Sequence, residues 1–246
     1  MTAFRKIPQK EYCKYIQIAD SLTFGKIYPL SIAECRQAGD IYTDGKAVLF
    51  HHLCGFGHIA GEADDAFINS IKDLMLNGGR RLVLFADNAI VQKFGEEFAV
   101  NSRFFFEYRK SSPPEFILPE GYKLEKLDSG LISQMAGRIV PAFSWESTEN
   151  FLAGGTGFCV TFEDKPAAWA FSAAVNGEEV DVGVETVSEH RRKGLAFIAA
   201  AKTIEDILKS GRTPVWACHS ENSGSAELAL KLGFFKTAEC CVIHKR

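Results

Sequence analysis

What this sequence does not contain narrows its function first. No stretch approaches the roughly 18 consecutive apolar residues that a membrane-spanning helix requires, although 46% of the residues are apolar and a packed core is well supplied. The opening Met1-Thr-Ala-Phe-Arg-Lys-Ile-Pro8 has basic residues without an apolar run behind them, so no secretory leader is expected there. Charge of one sign is also lacking: a formal net charge of -3 gives no electrostatic reason to expect nucleic acid as partner. The seven cysteines (positions 13, 35, 54, 159, 218, 240 and 241) form neither CxxC pairs nor a disulfide framework. Several sit inside apolar runs, where a reduced cysteine is a small core residue. No metal site and no membrane partner are expected, and the chain reads as a soluble, reduced, cytoplasmic protein.

The clearest punctuation is Ser111-Ser112-Pro113-Pro114, followed by Leu118-Pro119-Glu120-Gly121. Paired prolines remove backbone donors and bias the preceding residues to extended forms, so a linker is expected there. It divides the chain into a smaller N-terminal α/β domain, 1–115, and a second domain, 116–246. The second domain opens on a strand at 122–127, followed by helical stretches near 131–139 and 147–152. Strands at 157–162, 167–172 and 179–186 come next, with turns at Asp164-Lys-Pro166 and Asn176-Gly177. A helix over 195–208 ends at Ser210-Gly211, a strand covers 213–218, a helix covers 223–232, and a last strand region runs over 234–244.

In the first half, strands are expected at 46–53, 81–85 and 103–108, and helices at 63–76 and 89–98. This order repeats the last third of the chain in miniature. Asn77-Gly78-Gly79 parallels Ser210-Gly211, and Lys93-Phe-Gly95 parallels Lys231-Leu-Gly233. Duplication and coincidence both remain open at this point. If the repeat is real, the first copy has no phosphate loop, because the glycine-rich Gly55-Phe-Gly57-His-Ile-Ala-Gly61 carries no Arg or Lys.

Residues 191–196, Arg-Arg-Lys-Gly-Leu-Ala, lie between an apolar β-branched run and an Ala/Ile-rich helical run. That placement makes a basic loop the start of a helix, where backbone N–H groups and the positive end of the helix dipole can hold a phosphate. With Arg191-x-x-Gly194-x-Ala196 after a strand and before a helix, residues 120–246 resemble the GNAT superfamily of N-acetyltransferases. The run Asn222-x-x-Ser225-x-x-Leu228-Ala229-x-Lys231-Leu232-Gly233-Phe234 fits the superfamily's second acyl-CoA-side helix. Gly157-Phe-Cys159, Val184-Glu-Thr186 and Pro214-Val-Trp-Ala-Cys218 resemble the branch that includes zwittermicin A resistance acetyltransferases, which also carries an additional N-terminal domain. The fold implied is α/β (α+β): a mixed, mostly antiparallel central sheet flanked by helices, with the smaller N-terminal domain as a possible degenerate GNAT-like repeat.

The resemblance implies acetyl-CoA as co-substrate. Its pantetheine arm would lie along Val184, Glu185 and Thr186, between strands that splay apart. Its pyrophosphate would sit over the amides of Arg192, Lys193, Gly194, Leu195 and Ala196, with Arg191 adding charge and any side chain at 194 an obstruction. Asn222 and Ser225 would stand beside the pantetheine or the departing thiolate; capping of the helix is the other role open to them. Glu185, at the strand end, is the expected general base. Strand alternation sets Asp181 on its face, so the two carboxylates together could bind a cationic acceptor. Many members carry a tyrosine as general acid after the last helix, but this chain has no tyrosine beyond Tyr122. Cys240 or Cys241, or Ser225, stands in for it. Trp145 and Ser172 are candidate acceptor contacts, with core packing as the alternative for the tryptophan.

The reading is an acetyl-CoA-dependent N-acetyltransferase acting on a small-molecule amine by direct attack, with a homodimer left open. The alternative is an inactive acyl-CoA-binding sensor or scaffold.

Overall fold

The computed structural model describes residues 4–246; the first three residues of the stretch read for a leader lie outside it. The chain packs as two units that are not consecutive in sequence. One holds the described residues up to Phe105 together with Cys218–Asn222 and Ala238–Arg246, and the other holds Phe106–Ala217 and Ser223–Thr237.

The first unit runs β1 (Arg5–Lys6), α1 (Ile16–Asp20), α2 (Ile27–Ala33), β2 (Gly39–Thr43), β3 (Ala47–His52), β4 (Phe56–Gly61), α3 (Asp65–Asn77), β5 (Val83–Ala86), α4 (Asn88–Val91) and β6 (Phe98–Tyr108), the last three residues of which belong to the second unit. The two helices over 16–33 carry no expectation from sequence. Strands β1 to β4 pair antiparallel in order, and β4 pairs parallel with β5. A parallel pair needs a crossover, which the 13-residue α3 supplies. Strand β3 is buried along its whole length because both faces are covered. Val48 and Phe50 pack with Leu30 and Ile32 of α2; Ala47 and Leu49 pack with Phe67, Ile71 and Met75 of α3. Those three recur at helical spacing and draw α3 onto the sheet. Asp64 caps α3, its side chain accepting from the Phe67 N–H at 2.9 Å.

The second unit runs β7 (Tyr122–Lys126), α5 (Ser129–Gln134), α6 (Thr148–Gly154), β8 (Gly157–Phe162), β9 (Lys165–Val175), β10 (Glu179–Thr186), α7 (Leu195–Lys209), β11 (Thr213–His219), α8 (Ser223–Leu232) and β12 (Phe234–Lys245). Strands β7 to β10 pair antiparallel in order, and β10 pairs parallel with β11 across the 15-residue α7. The pairing senses of β2–β5 thus recur in β8–β11. The fold is α/β, a mixed and mostly antiparallel sheet flanked by helices. No helix among the described residues is long and apolar enough to cross a membrane.

Three sequence expectations shift. The turn placed at Asp164-Lys-Pro166 is Glu163-Asp164, both left-handed (φ +48° and +58°), the conformation of a tight two-residue hairpin. Pro166 then sits inside β9 where the β8–β9 register slips, the place a sheet tolerates proline. The helix expected over 89–98 is only Asn88–Val91, because β6 begins at Phe98 and reaches back further than the strand expected from 103.

The boundary expected near 115 does not separate the units. Tyr108 and Phe234 stack edge to face within the second unit, their ring centroids 5.2 Å apart. The Tyr108 hydroxyl donates to the Ser112 carbonyl at 2.6 Å, which fastens the proline-rich segment to that unit too. The later part of β12 belongs to the first unit, where Cys241, Val242 and Ile243 pair with Ala86, Phe85 and Leu84.

Candidate active site

Strands β10 and β11 run side by side only briefly. Glu179, Val180 and Asp181 pair with Thr213, Pro214 and Val215, and β10 then continues to Thr186 without β11. On its other edge β10 stays bonded to β9 as far as Thr186. One edge of β10 is therefore held and the other is open: Val187, and in the same alternation Glu185, turn their backbone groups to β9, so Val184 and Thr186 are the residues that turn theirs to the open edge, where an extended ligand could pair.

Beyond Thr186 the chain passes through a short 3-10 turn, Ser188–His190, and enters α7. Arg192 and Gly194 are both left-handed, at φ +61° and +77°, which swings the loop around the first turn of α7. The amides of that turn have no helical acceptor and carry the positive end of the helix dipole. Apart from Gly194 and its chain neighbours, no atom of the described residues lies within 4 Å of where a Gly194 Cβ would stand. Within this chain glycine is needed for its backbone conformation rather than for space. Gly194→Val is accordingly expected to cost about 1–2 kcal/mol of stability, lowering the calorimetric Tm by a few degrees. An unchanged Tm would remove this strain argument.

Arg191, Arg192 and Lys193 are exposed. Arg191 donates from Nε to the Thr186 carbonyl at 3.3 Å. Lys193 Nζ stands 3.2 Å from the Tyr122 hydroxyl and 5.9 Å from the centre of its ring, a cation–π placement. The same hydroxyl lies 3.0 Å from His190 Nδ1, and the Phe162 ring packs on both Tyr122 and His190. Strands β7 and β8 thereby anchor the loop. Glu189, next to the loop, is held below the usual range first by its own backbone N–H and then by the Ser188 hydroxyl, with Arg191 adding to the effect.

Glu185 is half-buried, and its Oε2 accepts from the Ile139 N–H at 2.6 Å. Trp169 is its cross-strand partner on β9 and donates from Nε1 to the Ile139 carbonyl at 2.7 Å. Opposed residues of an antiparallel pair share a face, so two neighbouring side chains hold both polar groups of one residue. A Cβ on Gly137 would come within 2.5 Å of Glu185 Oε2; glycine there lets the backbone lie against the carboxylate. This docking explains why the helix expected over 131–139 stops at Gln134.

The remaining candidates separate. Asp181 is 5% exposed and lies in the paired part of β10, about 13 Å along the strand from Glu185. The expected pair of carboxylates is not brought together. Ser172 is fully buried, its Oγ accepting from the Thr156 N–H at 2.8 Å and donating to the Thr156 carbonyl at 3.1 Å. Trp145 is 4% exposed, donates from Nε1 to the Ser172 carbonyl at 2.8 Å and packs edge-on against Phe151. Both are core residues with their polar atoms satisfied inside the protein, which corrects the expectation that they touch an acceptor.

Cys240 belongs to the first unit and is buried, and burial pushes its thiol up to about 12. So weak an acid would not readily protonate a thiolate of ordinary basicity, near 8.5, and its expected role as general acid is corrected. Ser225 lies in the first turn of α8, where its Oγ accepts from Trp216 Nε1 at 3.1 Å. Asn222 immediately precedes that helix, its N–H bonded to the His219 carbonyl at 2.9 Å.

Sequence reasoning missed Gly137, Ile139, Tyr122 and His190. None sits in a motif: Ile139 acts through its backbone, and Tyr122 and His190 meet across a separation of 68 residues.

Residues 28–241 match the GNAT acetyltransferase family, so the likeness is not confined to 120–246. A curated relative, the uncharacterized N-acetyltransferase YdfB of Bacillus subtilis (strain 168), is 24% identical over 260 residues, covering 99% of both chains. A GCN5-related N-acetyltransferase-like protein from Streptococcus suis 89/1591 superposes with a TM-score of 0.75 at 20% identity, over 97% of this chain and all of that one. A tandem GNAT protein from the clavulanic acid biosynthesis pathway gives a TM-score of 0.64 at 9% identity, over 99% and 98% of the two chains. A bare strand edge leading into a basic loop and a free helix start is thus met by a family match over most of the sequence: the chain belongs to the GNAT acetyltransferase family and is an acetyltransferase.

Proposed function

We propose that this chain carries an acetyl group from acetyl-CoA to the amine of a small molecule by direct attack, with Glu185 as general base. The observation that carries this reading is the opening of β10 from β11 after Asp181, beside the basic loop that starts α7. The residues present fit the donor. The bare edge at Val184–Thr186 suits an extended arm, the amides of residues 192–196 suit a pyrophosphate, and Arg191, Arg192 and Lys193 add screened attraction for further phosphate oxygens. When bound, acetyl-CoA supplies an activated acyl carbon.

Each residue then has a task. A strand amide among 184–186 polarises the thioester carbonyl. The Glu185 carboxylate, steadied by the Ile139 N–H, accepts the ammonium proton of the acceptor, directly or through water. Ser225 is better placed than Cys240 to stand near the leaving sulfur, because it belongs to the unit that holds the loop. The docked segment around Ile139 walls the cleft on the side of Glu185, and an acceptor of the aminopolyol kind handled by zwittermicin-type enzymes is the class we favour.

The first unit has the same strand pairing, and we read it as a degenerate copy that does not hold acetyl-CoA. The segment before α3 is Gly61-Glu62-Ala63-Asp64, with Asp65 following. Asp64 already occupies an amide at the helix start, and the acidic side chains repel phosphate.

Free-thiol release from acetyl-CoA with a panel of amines should be amine-dependent. Replacing Arg192 and Lys193 together by glutamine should weaken acetyl-CoA binding by roughly tenfold, the worth of two exposed charges. Thiol release that no amine stimulates, or unchanged affinity in the double variant, would overturn the reading.

A further inference from the structure

The first unit contains a cavity of about 350 Å³ in which every lining residue belongs to that unit. Phe56 of β4 and Phe85 of β5 form part of its apolar floor, their rings edge to face with centroids 5.0 Å apart. Arg81, Arg103 and Lys245 stand around that floor with His219 and His244, and no carboxylate lines the cavity. The Arg103 guanidinium lies 5.0 Å from the centre of the Phe56 ring and 5.9 Å from that of Phe85. Asn101 Nδ2 and His244 Nε2 are 2.9 Å apart, and Lys245 Nζ donates to the Leu76 carbonyl at 3.0 Å.

Three permanent cations around one apolar floor repel one another, and a bound anion would relieve that repulsion. The rings hold Arg103 in place, so little side-chain freedom is lost when it takes a ligand. A concave apolar surface with a few converging polar groups is the usual make-up of a small-molecule site, and this volume lies at the small end of that range. The chemistry points away from amines, which the three permanent cations would repel, and toward an acid.

We propose that this cavity binds a small organic anion, its flat apolar body resting against Phe56 and Phe85 and its carboxylate or phosphate monoester held by Arg81 and Arg103. The site is separate from the acetyl-transfer cleft in residues and in charge logic. It gives the first unit a ligand of its own.

Calorimetric titration of the full chain with 2-naphthoate, 2-naphthyl phosphate, 2-naphthol and inorganic phosphate tests this. Both naphthyl anions should bind, while 2-naphthol and inorganic phosphate should bind at least tenfold more weakly; the tighter of the two anions identifies the acid group. Arg81 is exposed, so Arg81→Gln should fold normally and weaken the anions by roughly tenfold, the worth of a charged hydrogen bond. Arg103→Lys, which keeps the charge but loses the planar fork, should also weaken them. Saturating acetyl-CoA should leave the titration unchanged. The proposal fails if neither anion binds at millimolar concentration, if 2-naphthol or inorganic phosphate binds equally well, if both arginine variants bind like the parent, or if acetyl-CoA competes.

Discussion

Glu185→Gln should lower kcat by roughly 10²–10⁴, the usual worth of one general base, while leaving the affinity for acetyl-CoA nearly unchanged. The substitution is informative because glutamine keeps a carbonyl oxygen that can accept from the Ile139 N–H but takes no proton at working pH. The acidic limb of the pH–rate profile should disappear with it. The docked segment supplies the control. Trp169→Phe removes the hydrogen bond to the Ile139 carbonyl and leaves the carboxylate untouched, so it should alter KM for the amine more than kcat. If Trp169→Phe proves as damaging to kcat as Glu185→Gln, then Glu185 acts by holding the backbone in place rather than by taking a proton. If Glu185→Gln turns over normally with its acidic limb intact, the base lies elsewhere.

A second large effect is expected from acid. Burial holds His51 down at about 4, and holds His52 and His58 at about 3, against an ordinary 6.5. After burial, the Arg80 charge acts next on His51 and His52, and the neighbouring His52 ring, which would repel a second protonated ring, acts next on His58. His58 is 1% exposed and stacked on Phe85 with centroids 4.5 Å apart, and neither ring nitrogen has a hydrogen-bond partner among the described residues. The folded values lie below the unfolded one, so the three rings stay neutral in the folded protein while the unfolded chain takes up protons below about pH 6.5. Stability is therefore whole above pH 6.5 and falls as the pH drops toward 4 and 3. Between pH 6.5 and 5 each ring should cost roughly 2 kcal/mol, a large share of an ordinary domain's total. Urea midpoints at pH 7 and pH 5 measure this, and His58→Leu should flatten the slope by about a third. A midpoint that barely moves over that interval would show that these histidines are not held neutral.

Periodic burial and helix-start chemistry were readable in the sequence. The spans 157–162, 179–186 and 223–232 coincide with β8, β10 and α8, and Arg191-x-x-Gly194-x-Ala196 lies where α7 begins. Their signal is local: alternation, an αL glycine, a run of helix formers. The segment around Ile139 was not readable, because what ends α5 is a carboxylate and an indole that follow 46 and 30 residues later. Trp145 and Ser172 misled for a related reason. A polar or aromatic residue near a cleft in sequence looks the same whether it faces a ligand or a buried carbonyl. The two-unit partition was hidden as well, since prolines mark where a chain bends and not where its last strand returns.

That returning strand has a consequence for how the protein is made. The edge of β5 offered by Leu84–Ala86 is completed by Val242 and its neighbours, which leave the ribosome about 150 residues later, a wait on the order of 10–30 s at ordinary elongation rates. During that interval a four-residue apolar strand, Val-Leu-Phe-Ala, paired with β4 on one side only, leaves its other edge open on the nascent chain, a ready template for a wrong partner. Folding of the first unit is thus timed by translation of the second, and pauses or truncations late in the message should be felt first as aggregation of residues encoded early in it.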